Sequence, residues 1–401
     1  MSSIFSPNQV FLTQGEMPAP FLRFLLLLAG WAVVLLSGCS STAVEPPAPL
    51  KEFKPELAVT TVWSAQVGKG TGKKDLRLKP RLAGEVLYAN DHRGIVVALD
   101  AGSGELRWQV ELDELLTSGP GYGDGRIVLG SADGLVIALS AEDGKLLWRA
   151  QLSSEILAPP AVGDGVVVAH TGDGKLFALS AADGRQLWVY DRNVPTLTLH
   201  GTSSPVVLAD VVLDGFASGK IALLQLRDGR VLWERSIAIP RGRSELERMV
   251  DIDASPLVRG SVVYVVSYQG RVAALDLQTG RILWSRPMSA SQGLAADEKA
   301  LYLSDDRDRV WALDRFSGAS LWQQESLQRR SLTAPVFYRD ESVVVGDREG
   351  YLHWMARSDG HFTGRFLLGA GIRVAPLVAG ERLYAYNDEG RLFCLKAIKQ
   401  K

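Results

Sequence analysis

Tryptophan recurs along this chain at a spacing that leaves few folds open. Trp63, Trp108, Trp148, Trp188, Trp233, Trp284 and Trp322 are separated by 45, 40, 40, 45, 51 and 38 residues. Each of the last six ends the same kind of block, of which residues 133–148 (DGLVIALSAEDGKLLW) are representative. In it, Leu135, Ile137 and Leu139 alternate with Val136 and Ala138, so both faces of a first strand are apolar. That is the pattern of a strand buried on both sides. A polar turn follows, in which Asp143-Gly144 supplies the positive φ a hairpin needs. Trp148 then brings a large apolar surface to a second strand.

The block returns at residues 94–108, 173–188, 219–233, 270–284 and 308–322. Two weaker copies follow. Residues 350–364 carry Gly364 where tryptophan is expected, with Phe362 and Phe366 beside it, and residues 390–395 keep only the first strand. A period near 40–45 made of short strands is the mark of a β-propeller with one four-stranded blade per repeat. A helical solenoid of similar period would need 3.6-residue patterning, which these blocks lack. The expected fold is all-β: an eight-bladed β-propeller of four-stranded antiparallel blades spanning residues 57–401.

Upstream of each block lies a strand–turn–strand segment, as at residues 158–169, 204–213, 255–266, 334–345 and 375–385. The final repeat lacks a fourth strand. Residues 58–67 (AVTTVWSAQV) are a spare one with Trp63 in phase. They are predicted to close the ring as the outer strand of the last blade, which leaves only short, protected edges.

The N-terminal region is a different kind of sequence. Residues 24–36 (FLLLLAGWAVVLL) form an apolar run too short to span a bilayer comfortably, but of the length of a signal-peptide core. It leads into Leu36-Ser37-Gly38-Cys39. An ordinary signal peptide with an incidental cysteine is one reading. The other rests on a resemblance to the lipobox of bacterial lipoproteins, which implies a leader over 1–38, cleavage before Cys39 and lipidation of that cysteine. Ser40, rather than aspartate, then points to the outer membrane. Residues 1–16 carry no positive charge, and Met17 opens a compact leader containing Arg23, so Met17 is the expected start. Residues 39–56, polar and proline-rich, are expected to form a flexible tether holding the propeller up to about 50 Å from the membrane.

Chemistry-bearing patterns are sparse. With 44 basic and 45 acidic residues the net charge of −1 gives no electrostatic argument for nucleic acid. The five histidines show no metal-ligand spacing, and residues 68–74 (GKGTGKK) read as a turn rather than a phosphate loop. The many Asp-Gly pairs fall at turn positions. Cys394 lies among apolar residues of the last strand and reads as a buried, inert thiol. No catalytic, metal or cofactor residue is proposed.

The repeat itself points to one surface. The long spacings to Trp233 and Trp284 place extra residues in 191–203 and 239–253. Both segments join an outer strand to the next blade's inner strand, so they fall side by side on one face. The first carries Leu197, Leu199 and His200, and the second Asp251 and Asp253 around Ile252. Two readings stand. The leucines are apolar anchors rimmed by acids, suited to a basic, partly apolar partner; or they face a blade and the aspartates cap a turn.

The tryptophan-ended block resembles the pyrroloquinoline-quinone (PQQ) enzyme-like repeat, whose tryptophans dock between neighbouring blades. Quinoprotein dehydrogenases and the BamB family of outer-membrane assembly factors share it. The former typically carry a vicinal disulfide, calcium ligands and longer blades, whereas this chain has no Cys-Cys pair and compact blades. Its lipobox, repeat number and length resemble the BamB family. So do residues 194–205 (VPTLTLHGTSSP), 244–256 (SELERMVDIDASP) and 345–354 (VGDREGYLHW). The resemblance, over residues 36–397, implies a non-enzymatic lipoprotein scaffold of the β-barrel assembly machine, the BAM complex. It implies a lipid anchor in the outer membrane, a periplasmic location, no cofactor, and BamA as partner through its POTRA domains. Unfolded outer-membrane strands are a further candidate partner. The family's BamA-contacting positions match Leu197, Leu199, Asp251, Asp253 and His200. His200 stands where arginine is usual, replacing a permanent charge by one that titrates at about pH 6.5. The alternative, a periplasmic PQQ-dependent quinoprotein-like enzyme, calls for a polar, charged pocket on the ring's axis.

Overall fold

The computed structural model describes residues 45–400 except Lys73, residues 192–196, Arg241 and Asp340; the leader and Cys39 lie outside the described residues. By internal packing the chain separates into residues 1–46 and 47–401, and every strand of the described residues belongs to the second unit.

Among the described residues, thirty-two strands form eight four-stranded sheets, the blades. In blades 1 to 7 the order within the sheet is the order along the chain. Blade 8 is built from both ends of it. Leu377–Ala379, Arg382–Tyr386 and Arg391–Lys399 are followed in the sheet by Leu57–Gln66, which runs antiparallel to the last of them. The strand expected to close the ring does so, with Trp63 opposite Cys394.

Burial follows the sequence pattern strand by strand. The third strand of blade 2, Leu135–Ser140, is buried at its four central residues, while the fourth, Leu146–Gln151, is largely exposed apart from Trp148. Apolar side chains on both faces of the middle strands pack against the blades on either side. The core is therefore divided into layers between neighbouring blades. Val136, Ala138 and Trp148 of blade 2, for example, pack with Val167, Phe177 and Leu179 of blade 3.

Each tryptophan holds two blades together. The indole N–H of Trp148 donates to the carbonyl of Ala181 in blade 3 at 2.9 Å, which satisfies the polar end of a buried ring. The ring itself lies on Gly184, at a φ of 76°, where an added Cβ would sit 2.6 Å from the indole. Only glycine provides both that conformation and that close approach. Trp108, Trp188, Trp233, Trp284 and Trp322 donate to the following blade in the same way at 2.8–3.1 Å. Trp63 of blade 8 donates to Ala101 of blade 1 at 3.2 Å, so the closing strand completes the cycle.

Blade 7 departs from this scheme for a reason the ring supplies. Its tryptophan would dock on the turn between the third and fourth strands of blade 8. That turn does not exist, because those strands come from opposite ends of the chain. Gly364 occupies the position instead, and an added Cβ there would meet Leu57 at 3.3 Å. The bulk moves to the facing strand, where Trp354, paired with Gly364, is fully buried between blades 7 and 8.

The expected flexible tether over 39–56 needs correction in its second half. Residues 47–56 are extended but docked along blade 7. Ala48 donates its N–H to the carbonyl of Gln328 at 2.9 Å, and Glu56 donates to that of Thr363 at 2.8 Å. Between them Phe53 packs against Phe362 at 5.7 Å between ring centres.

Candidate functional site

The two inserted segments connect blade 3 to blade 4 and blade 4 to blade 5. The second is shaped by its own sequence. Ser244 and Glu247 form a capping box at the start of a one-turn helix, Glu245–Arg248. Backbone N–H groups of Arg243 and Ser244 hold the Glu247 carboxyl below the usual glutamate range. Met249, Val250 and Ile252 then turn inward and are buried. Ile252 lies against Gly215, where an added Cβ would come within 2.3 Å of it.

The segments adjoin, as the repeat spacing predicts. The N–H of Leu199 donates to Oδ2 of Asp251 at 3.2 Å. Gly201 lies over Asp253, since a Cβ there would be 3.0 Å from Oδ2. Asp251 also accepts the N–H of Tyr268 through its own carbonyl, at 2.7 Å, which fixes the segment to blade 5.

The side chains are not arranged as a rim of acids around apolar anchors. Leu197 and His200 are exposed and Leu199 is half-buried, but Asp251 and Asp253 are only 2% and 5% exposed. The acids lie beneath the leucine segment and brace it. Burial, reinforced by the neighbouring charge of Asp253, pushes the Asp251 carboxyl up to about 8. Burial also raises Asp253, against the opposing influence of Arg77. At neutral pH the pair therefore keeps a proton, and one acid steadies the other. His200 lies 3.7 Å from Glu155. Two exposed apolar residues of the second segment, Ile239 and Leu246, have no place in the strand pattern of the sequence. Their signal was present: isolated large apolar side chains in a charged insertion between blades.

On this face, Leu199, His200 and Asp253 border a cavity of about 430 Å³ on the ring's axis, to which connections from all around the ring contribute. It is polar and charged, as the enzymatic alternative requires. Several of its charges are engaged, although Oδ1 of Asp253 is buried without a hydrogen-bond partner among the described residues. Asp305 accepts the N–H groups of Arg307 and Arg309 and pairs with the Arg309 guanidinium at 2.7 Å. Asp308 accepts those of Ser331 and Leu332, and Arg373 is shared between Asp75 and Asp388. Among the described residues no group of three or more His, Cys, Asp or Glu side chains is placed to hold a metal ion. Cys394 is buried and unpaired, and burial pushes its thiol up to about 11, the state of an inert thiol.

Comparison with known proteins agrees with this architecture. The family described as "Outer membrane protein assembly factor BamB" matches residues 92–324. The protein of that name from Pseudomonas aeruginosa PAO1 is 49% identical over 370 residues, covering 92% of this chain and 96% of its own. Its namesake from Escherichia coli K12 is 36% identical, covering 93% and 99%. Among solved structures, BamB from Moraxella catarrhalis superposes with a TM-score of 0.78 at 29% identity, covering 84% of this chain and 100% of that one. A europium-containing methanol dehydrogenase reaches 0.72 at 13% identity, over 84% and 93%, a likeness of fold alone. With near-full-length relatives at this identity and the same ring of blades, the chain belongs to the family of outer membrane protein assembly factor BamB.

Proposed function

We propose that this protein is a non-enzymatic scaffold of the β-barrel assembly machine. It binds BamA through the POTRA domains, assists insertion of outer-membrane β-barrels, and is held at the periplasmic face of the outer membrane by a lipid on Cys39. The family carries the general role. The observation that supports the contact surface is the pairing of the two inserted segments by the Leu199–Asp251 hydrogen bond. It presents Leu197, Leu199 and His200 outward on a segment stiffened from below by Asp251 and Asp253. In this reading the leucines and His200 touch the partner, while the acids set the shape of the segment. Substrate strands are a further candidate ligand of the same scaffold.

The roles separate in a pull-down of BamA from solubilised membranes. Leu199→Ala is expected to weaken capture without changing the melting temperature by more than a degree or two. Asp253→Ala is expected to weaken it through loss of segment order, visible as faster amide exchange over 197–203. A well-folded Leu199→Ala/Asp253→Ala protein that captured BamA like the wild type would place the contact elsewhere. The quinoprotein alternative, for which the charged axial cavity speaks, is tested by adding pyrroloquinoline quinone to the purified protein. Saturable binding with dye-linked alcohol oxidation would overturn the scaffold reading.

A further inference from the structure

The segment before the first strand is read by side chains of blade 7 at several points along its length. Arg330 is 5% exposed, pairs with Asp347 at 2.6 Å, and donates through Nη1 to the carbonyl of Ala48 at 3.0 Å. Arg365 donates to the carbonyl of Lys51 at 3.2 Å and sets its guanidinium 5.0 Å from the Phe53 ring centre. Leu50 packs into the layer between blades 6 and 7. His361 lies 2.9 Å from Glu56, and Gln400 donates to the Glu56 carbonyl at 2.7 Å. Backbone hydrogen bonds, a donor from the buried, ion-paired Arg330, and packing of Phe53 on Phe362 and Arg365 together make this a docked strap.

Its place in the ring matters. Ala48 meets Gln328 and Arg330 in the connection from blade 6 to blade 7. That connection is of the same type as the two inserted segments, and its Ser331 and Leu332 border the same axial cavity as Leu199 and Asp253. The strap therefore meets the propeller on the face that carries the candidate partner segments, at a junction three blades from one and two from the other.

We infer that residues 47–56 hang the propeller from the outer membrane by the blade 6–blade 7 sector of its segment-bearing face. The inference rests on the reading of Cys39 as the lipidated residue. Only residues 40–46 separate Cys39 from the strap, and seven residues reach at most about 24 Å. That is half the reach a free tether over 40–55 would have. The partner segments then approach BamA with the membrane always on the same side of the ring.

The test uses the full lipoprotein in phosphatidylethanolamine–phosphatidylglycerol vesicles containing a headgroup-linked quencher. Fluorophores are attached to Glu349→Cys in blade 7 or Asp133→Cys in blade 2, two exposed positions in equivalent turns. Cys394, being buried, stays unlabelled. Quenching is expected to be at least about two-fold stronger at position 349 than at 133. A twenty-residue Gly-Ser insertion between Pro46 and Pro47, which leaves the dock untouched, is expected to bring the ratio close to one. Equal quenching without the insertion, or stronger quenching at 133, overturns the inference. Acyl mass on the Cys39 peptide reports the anchor separately: its absence refutes suspension through Cys39, whatever the dock does. The dock has its own readout in amide exchange over 47–56, expected to be slowed at least ten-fold from random-coil rates. Exchange at random-coil rates overturns it.

Discussion

Replacing Trp63 with alanine strikes the ring where no hairpin joins the outer strand of a blade to its neighbour. The change removes the hydrogen bond to Ala101, the packing against Tyr384 at 5.9 Å between ring centres, and the cover over Gly104. Truncating a fully buried aromatic typically costs about 3–5 kcal/mol and losing a hydrogen bond about 1 kcal/mol. Trp63 is only half-buried, so about 2–4 kcal/mol is the expected loss. What distinguishes Trp63 from Trp148 is where the damage spreads. Both tryptophans sit on the outer strand of a blade, but the strand of Trp148 is joined by a hairpin to its neighbour Leu135–Ser140, whereas the strand of Trp63 has no such link to Arg391–Lys399. Denaturant unfolding with amide exchange reads both effects. Trp63→Ala should lower the midpoint and accelerate exchange throughout 391–399, while Trp148→Ala should leave those amides protected. A loss below about 1 kcal/mol with unchanged exchange over 391–399 would refute closure by this strand.

Two further expectations test the packing and the electrostatics. Gly364→Trp restores the repeat consensus yet should destabilise the protein by roughly 1–3 kcal/mol, the usual cost of overpacking, because Leu57 and Trp354 already fill the space; a higher melting temperature would contradict the account of the seam. Asp251, with its carboxyl raised to about 8, binds a proton in the folded protein that the unfolded chain releases near pH 4. Its contribution to stability is complete below pH 4 and disappears as pH rises through about 8. Asp251→Asn should therefore gain stability relative to wild type between pH 5 and pH 8.5 in paired melts, and a gap that stays constant with pH would show that the buried pair is not protonated.

The architecture was open to reading because a propeller repeats its constraints. Every tryptophan needs a small turn residue in the next blade, so spacing alone reveals blade number and phase. The closing strand was visible for the same reason: Trp63 keeps the phase although its blade lies at the other end of the chain. Insertions could be placed because they lengthen an otherwise regular period. Three features escaped. Proline-rich composition marks the strap as extended, but its partners Arg330 and Arg365 lie hundreds of residues away, so nothing local signals docking. The burial of Asp251 and Asp253 depends on the leucine segment folding over them from the neighbouring connection. Gly364 looked like decay of the repeat, whereas it answers to a turn that the ring closure removes.

The role as an assembly scaffold is tested most directly by what the native lipoprotein brings with it. Affinity purification from detergent-solubilised outer membranes, with mass spectrometry of the eluate, should recover BamA at near-equimolar level from wild-type cells. The Leu199→Ala/Asp253→Ala protein, at equal abundance, should recover several-fold less. An eluate from wild-type cells without BamA would contradict the account.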